Sequence, residues 1–212
     1  MIAVSGIEQL LFELADALRI PVFAAAIGAL AFVLFDLGAF FVELSRRRRH
    51  GRREHVQEAA ATARKSLAVN DASGAEHALM PLASSAQMAD TLSNLVAAHA
   101  EPGAQDRRAK ALADFDLGSL RKLERSRMLV RFGPALGLMG TLIPLSPALE
   151  GLADGDVAQL SENLRAAFSV TVLGLLIGAV AFSISLVRDR LYAQDLSDLE
   201  YVGAALDPEQ GQ

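Results

Sequence analysis

Apolar residues gather along this chain into three long blocks, none with the alternation of a strand and each long enough for an uninterrupted helix. The first, from Ile20 to Val42, reads IPVFAAAIGALAFVLFDLGAFFV and is broken by one acid, Asp36. The second, from Phe132 to Leu149, has no charged side chain, and it extends past Arg131 to Met128 if that guanidinium snorkels to an interface. The third, from Ala166 to Val187, reads AAFSVTVLGLLIGAVAFSISLV and is also uncharged. Each is close to the length that crosses a hydrocarbon layer of about 30 Å. Helices buried in a soluble bundle are the alternative, but three such runs in 212 residues leave too little polar surface to cover them. The pattern predicts an all-α integral membrane protein with transmembrane helices over residues 20–43, 128–149 and 166–187.

Basic residues flanking the blocks set an orientation. Arg46, Arg47, Arg48 and Arg49 follow the first block; Arg121, Lys122, Arg125, Arg127 and Arg131 precede or open the second; Arg188 and Arg190 follow the third. Such residues stay on the cytoplasmic side, and all three clusters demand the same side. The opposite side has Arg19 and Arg165 against Glu150, Asp154, Asp156 and Glu162. The N-terminus is therefore expected outside, residues 44–127 and 188–212 in the cytoplasm, and residues 150–165 in a short outer loop. A polybasic run can also hold anionic lipid or nucleic acid. Because this run abuts a span, its role is read as topological, and the net charge of −5 argues against a nucleic-acid partner.

Within residues 1–19, Ile7, Leu10, Leu11, Leu14 and Leu18 share one helical face, which fits an amphipathic helix on the outer membrane surface or one packed on its neighbours. Glu8, Glu13 and Asp16 stand where a cleaved signal peptide would be basic, so the first block is read as a retained span. Residues 54–100 are rich in Ala, Glu, Gln and Leu and predict a helical pair, punctuated at Asn70–Gly74 and at Glu101–Gly103. From Asp106 one long helix is expected to run into the second span. The helix of the third span is expected to continue to about Leu206, with a disordered tail over residues 207–212.

Candidate chemistry is sparse outside the spans. The absence of Cys removes disulfides, thiolate metal sites and thiol nucleophiles. His50, His55, His77 and His99 lie in the charged segment without metal-ligand spacing, as on a solvated helix face. No phosphate-binding glycine loop is present, so nucleotide hydrolysis by this chain is not expected; with no catalytic constellation either, a channel component and not an enzyme is expected, with no cofactor beyond the transported ion. Within the spans, Gly133, Gly137 and Gly140 in the second, and Gly174 and Gly178 in the third, are small residues at near-helical spacing, suited to close helix packing. Pro134, Pro144 and Pro147 fit a helix that borders water or is kinked. Thr141 lies about 12 Å from the outer end of the second span and Thr171 about 8 Å from the outer end of the third, by helical rise. At those similar depths a hydroxyl can serve a water chain, an ion or a partner's carboxyl group, or can bond back to its own helix.

The stretch Gly133-Pro-Ala-Leu-Gly-Leu-Met-Gly-Thr141, followed by Ala167-Phe-Ser-Val-Thr171-Val-Leu-Gly-Leu175, resembles the paired signature of the MotA/TolQ/ExbB proton channel family. The resemblance covers roughly residues 128 to 190, while residues 1–127 are similar only in plan. It implies a homopentamer around two copies of a single-span ExbD/TolR/MotB-like partner in the cytoplasmic membrane, with Thr141 and Thr171 facing the partner's membrane Asp. It further implies an ion-driven stator subunit that converts proton or sodium flow into mechanical work. The short cytoplasmic region favours an ExbB/TolQ-like transport or envelope role over a flagellar one. Two features depart from the family: Ala166 stands where many relatives have an acid, and Ile143-Pro-Leu-Ser-Pro147 is unlike the better-known members.

An acid inside a span is a functional hypothesis in its own right. Asp36 is open to three readings: a structural ion pair with Arg131, a polar group lining the cytoplasmic exit, or an ion site of its own. A membrane scaffold with a cytoplasmic helical platform that conducts nothing is the alternative to the stator for the whole chain.

Overall fold

The computed structural model describes residues 10, 13–48, 53–100 and 103–207, and these are helical or lie in short connections, with no strand among them. Six helices of eight or more residues follow in order: α1 Arg19–Arg48, α2 Arg53–Ala68, α3 Ala72–Leu79, α4 Ala86–Ala97, α5 Ala104–Ala153 and α6 Val157–Ala205. A helical stretch over residues 13–17 precedes α1, and 3₁₀ turns over Met80–Leu82 and Ala98–Ala100 follow α3 and α4. Three helices, within Glu13–Arg47, Ala104–Ala153 and Val157–Ala205, are long and apolar enough to cross a membrane. Most of the amphipathic face proposed for residues 1–19, Arg49, His50, Glu101–Pro102 and the tail from residue 208 lie outside the described residues.

Local chemistry explains where helices stop. Asn70 takes a left-handed conformation (φ 57°) that closes α2, and the Asp71 side chain then accepts from Gly74 N at 2.9 Å to cap α3. Pro81 opens the first 3₁₀ turn, and Ser85 caps α4 by accepting from Met88 N at 3.2 Å. The expected helical pair is thus three helices, because the break at Pro81–Ser85 adds one. Between α5 and α6 only residues 154–156 are non-helical. Gly155 supplies φ 79° there, and the Asp156 carboxylate accepts from Gln159 N at 2.9 Å to start α6. Residues 150–153 and 157–165, read from sequence as outer loop, instead extend the two helices.

The chain divides into two compact units. One comprises the described part of Met1–Ala39 together with Arg125–Ser185. Its core is small: Val33, Ile177 and Ala181, flanked by Ala29, Leu30 and Val130 among others. Large side chains such as Phe35, Leu138, Leu142, Phe168 and Val172 are exposed. Only 17%, 22% and 33% of the three apolar windows is buried, so most of their surface is left for lipid or other chains to cover.

The other unit comprises Phe40–Glu124 and the described part of Leu186–Gln212. Its core is a conventional water-excluding one, with Leu79, Met88, Leu92, Leu95, Phe115 and Leu199 all 3% exposed or less. A buried charged cluster ties α1 to α6 within this unit. Arg47 Nη1 donates to Asp195 Oδ1 at 3.0 Å, its Nη2 lies 2.7 Å from Asp195 Oδ2, and Nη2 also donates to Glu43 at 3.1 Å. Ser84 Oγ donates to Asp195 Oδ2 at 2.9 Å, and Arg188 Nε donates to Glu43 at 3.3 Å. The guanidiniums of Arg47 and Arg188 lie over the rings of Tyr192 and Phe40, at 5.7 and 5.8 Å. Burial, with the Glu43 carboxylate next in effect, pushes the Tyr192 phenol up to about 12.

A second polar cluster closes the end of α6. Arg108, 5% exposed, donates to the Leu206 carbonyl at 2.9 Å and lies 3.6 Å from Asp207. His99 Nδ1 is 3.2 Å from the same carbonyl and 3.3 Å from Arg108, so this histidine sits in a packed corner and not on the solvated face expected of it.

Removing one member of a buried ion pair strands the other. Asp195→Ala is expected to cost about 3–5 kcal/mol, read as a fall in the thermal unfolding temperature of the detergent-purified protein. Arg46→Ala, one residue from Arg47 but exposed, is expected to stay within about 0.5 kcal/mol of the parent.

Candidate functional site

The uncharged stretches of α5 and α6 meet along a seam of glycines. A Cβ at Gly174 would stand 2.5 Å from Gly133 O and 2.7 Å from Gly137 Cα; one at Gly133 would stand 2.8 Å from Gly174 O. These are distances that real Cβ atoms do not occupy, so backbone here lies directly on backbone. Gly178 makes room for the Pro134 ring, whose Cδ would be 2.9 Å from an added Cβ, and Gly140 makes room for the Val170 side chain. At Gly137 the limit is the backbone of Thr171, with its O and Cα at 3.2 and 3.3 Å. All five glycines singled out from the sequence therefore stand at close approaches between the two helices.

The two threonines flank this seam. Thr171 Oγ1 donates to its own helix at Ala167 O and across the seam to Gly137 O, both at 3.2 Å. Thr141, one turn beyond Gly137, donates to Leu138 O at 2.7 Å. Both side chains are half-buried. They border the exposed apolar surface of Leu138, Leu142, Phe168, Val172 and Leu175. The bond from Thr171 to Gly137 links the two helices, and Thr141 lies about 6 Å of helical rise further along α5. Such a site has no charge of its own. It offers polar oxygens about one helical turn apart along an otherwise apolar surface.

Asp36 stands apart from that pair. Its Oδ2 accepts from Ser126 Oγ at 2.9 Å, and Ser126 is 1% exposed. Ser126 lies 15 positions before Thr141 on α5, about 22 Å of helical rise away. The acid thus takes a hydroxyl of α5, while Arg131, named from sequence as a possible partner, is exposed on the same helix. Of the basic run, Arg46 is exposed, whereas Arg47 is 7% exposed and belongs to the buried cluster with Asp195. Reading the whole run as a topology signal missed that second role. Glu43 and Arg47 are spaced i, i+4, and Arg188, Tyr192 and Asp195 share one helical face. That complementary spacing was the available signal.

Three helices long and apolar enough to cross a membrane, two of them in contact along an uncharged seam bordered by threonine hydroxyls, fit an integral membrane protein. The sequence matches the MotA/TolQ/ExbB proton channel family over residues 82–200, a stretch that contains α4, all of α5 and α6 as far as Glu200. The chain belongs to that family. Comparison with curated proteins finds no match.

Packing at the seam makes a paired prediction. Gly174→Ala is expected to destabilise the detergent-purified protein by about 1–3 kcal/mol in thermal unfolding, because a backbone carbonyl cannot step aside. Gly28→Ala, with nothing within 4 Å of the added methyl, is expected to be neutral or slightly stabilising.

Proposed function

We propose that this chain is the ion-conducting subunit of a stator driven by the ion-motive force. Five copies surround two copies of a single-span partner of the ExbD/TolR/MotB kind, whose membrane acid passes the Thr141 and Thr171 pair as it carries the ion. Flow through that interface turns one component against the other. The work done is of the ExbB/TolQ kind, in transport or envelope maintenance. On this reading the protein sits in the cytoplasmic membrane with its N-terminus outside, and residues 44–127 and the C-terminus in the cytoplasm.

The observation that carries the reading is the coincidence of the family match with the seam. The matched stretch contains all of α5, α6 as far as Glu200, the five glycines at their contact and both threonines. The exposed apolar surface beside the threonines supports assembly with further chains, since a lone copy would leave it against lipid or water. The buried cluster of Arg47 and Asp195 supports a stiff base for the helices to work against.

Proteoliposomes holding this chain with its single-span partner are expected to take up protons when a membrane potential is imposed, and those holding this chain alone are not. Thr141→Ala and Thr171→Ala are each expected to lower partner-dependent uptake at least tenfold, about 1.4 kcal/mol of barrier, without changing the assembled mass. Equal uptake with and without the partner, or full uptake in both variants, contradicts the proposal.

A further inference from the structure

Near its end, α1 turns one face to the protein and another away from it. Phe40 and Arg47, two turns apart, are 8% and 7% exposed, and Arg47 is bonded to Asp195. Phe41, Val42, Ser45 and Arg46 lie on the opposite side of the helix, where all four are exposed and together line a groove of about 400 Å³. A volume of that order suits a small ligand or one part of a larger one. The apolar floor is held in place, since the Phe41 ring meets the Phe40 ring at 6.1 Å between centroids and Phe40 lies beneath the Arg188 guanidinium.

The spacing of these residues matches the layers of a bilayer leaflet. From Phe41 to Arg46 the helix rises about 7–8 Å, and the polar layer outside a hydrocarbon core is about 5–8 Å thick on each side. Hydrocarbon beside Phe41 and Val42 thus leaves a phosphate level with Arg46. Donors at that level come from the guanidinium. Ser45 Oγ gives its proton to Phe41 O at 2.7 Å, so it offers a phosphate only a lone pair. Arg46 presents a planar fork of N–H donors, enough to grip a phosphate alongside acceptors of its own chain. It also opens a run of six arginines, Arg46–Arg49, Arg52 and Arg53, of which Arg47 is turned inward. A nucleic acid or a free phosphate would use the charge and leave the apolar floor idle. A phospholipid of net negative charge uses both.

We propose that Phe41, Val42, Ser45 and Arg46 form a seat for an anionic phospholipid, its phosphate on the Arg46 guanidinium and the first carbons of its acyl chains on Phe41 and Val42. A zwitterionic lipid brings a cationic headgroup into the field of the arginine run and is disfavoured there. The inference goes beyond the stator reading and rests only on α1 spanning the membrane. Its mechanical meaning follows from position. The seat lies on the far side of the helix from the cluster of Arg47 and Asp195, so bound lipid holds one face of the end of α1 while the ion pairs hold the other. Arg46 and Arg47 thus divide the run between them, one binding lipid and the other the protein's own carboxylates.

For the test, the full chain is reconstituted in vesicles of equal parts phosphatidylglycerol and phosphatidylcholine and extracted in mild detergent, and mass spectrometry reads the retained phospholipid and the assembled mass. Phosphatidylglycerol is expected to stay with the parent protein in preference to phosphatidylcholine, and excess inorganic phosphate is expected not to displace it. Arg46→Gln is expected to lower that retention about fivefold, the effect of one basic residue at an anionic membrane surface. Ser45→Leu keeps every charge and fills the groove, and is expected to lower retention by a similar factor. Arg190→Gln removes an equal charge from an exposed position after the third apolar block and is expected to leave retention unchanged. No preference for phosphatidylglycerol overturns the proposal, as do equal losses in Arg46→Gln and Arg190→Gln with none in Ser45→Leu, the mark of a diffuse charge effect. Displacement by inorganic phosphate overturns it in favour of a free-anion site. A lower assembled mass in Ser45→Leu with lipid retention unchanged overturns it in favour of a second copy covering this face. A chain that retains the lipid and conducts no ions with its partner would remove the stator reading and leave this inference standing.

Discussion

Direct contact between the backbones of α5 and α6 is the constraint on which the rest of the membrane region depends. In a hydrocarbon layer, helices gain little from burying apolar side chains against one another, so their association rests on close packing and on the few polar bonds available. Gly133, Gly137, Gly140, Gly174 and Gly178 each lack a Cβ that would hold the two helices apart. Close approach then brings Gly137 O within reach of Thr171 Oγ1. The same glycines leave the bulky side chains on the outer surfaces, which accounts for a unit whose core is only Val33, Ile177, Ala181 and their flanking residues. Pro134 is accommodated in the same way, its ring lying where Gly178 has no side chain.

The unit built from Phe40–Glu124 and residues 186–207 follows a different rule. There the core is Leu, Met and Phe packed as in a soluble protein, and it is pinned by charge: Arg47 and Asp195, with Glu43, Arg188 and Ser84 around them. Burying such a cluster is costly unless each charge is paired and hydrogen-bonded, and here the Asp195 oxygens receive both a guanidinium and a hydroxyl. One chain thus uses two stabilising devices, small residues along the contact of its apolar helices and buried ion pairs beside a side-chain core. Both act on the same helices, since α1, α5 and α6 each contribute residues to both units.

Much of this was legible in the sequence because the bilayer imposes a strong pattern. Three uncharged or nearly uncharged runs, and the glycine and threonine spacing in two of them, sufficed to identify three long apolar helices and the family. The unbroken pattern from Asp106 likewise anticipated α5 as a single helix. Short-range features were harder to see. The break at Pro81–Ser85 is a local turn inside an Ala-rich stretch, and the helical continuation of residues 150–153 and 157–165 was hidden by their acids and glycines. Long-range polar pairs left only a faint trace, such as the i, i+4 spacing of Glu43 and Arg47. The bond from Ser126 to Asp36 joins residues 90 positions apart, and that from Arg47 to Asp195 joins residues 148 apart. Apart from the i, i+4 spacing to Glu43, the local pattern does not separate Arg47, which is buried, from Arg46, which is exposed. Residue spacing gave depth along a helix, and only the packing gave partners.

The central claim, that this chain works as one of several identical subunits around an acid-bearing partner, is tested most directly by the native mass of the detergent-purified complex, alone and co-expressed with that partner. A pentamer that gains two partner copies is the result the account predicts. A monomer or dimer whose mass is unchanged by the partner would contradict it.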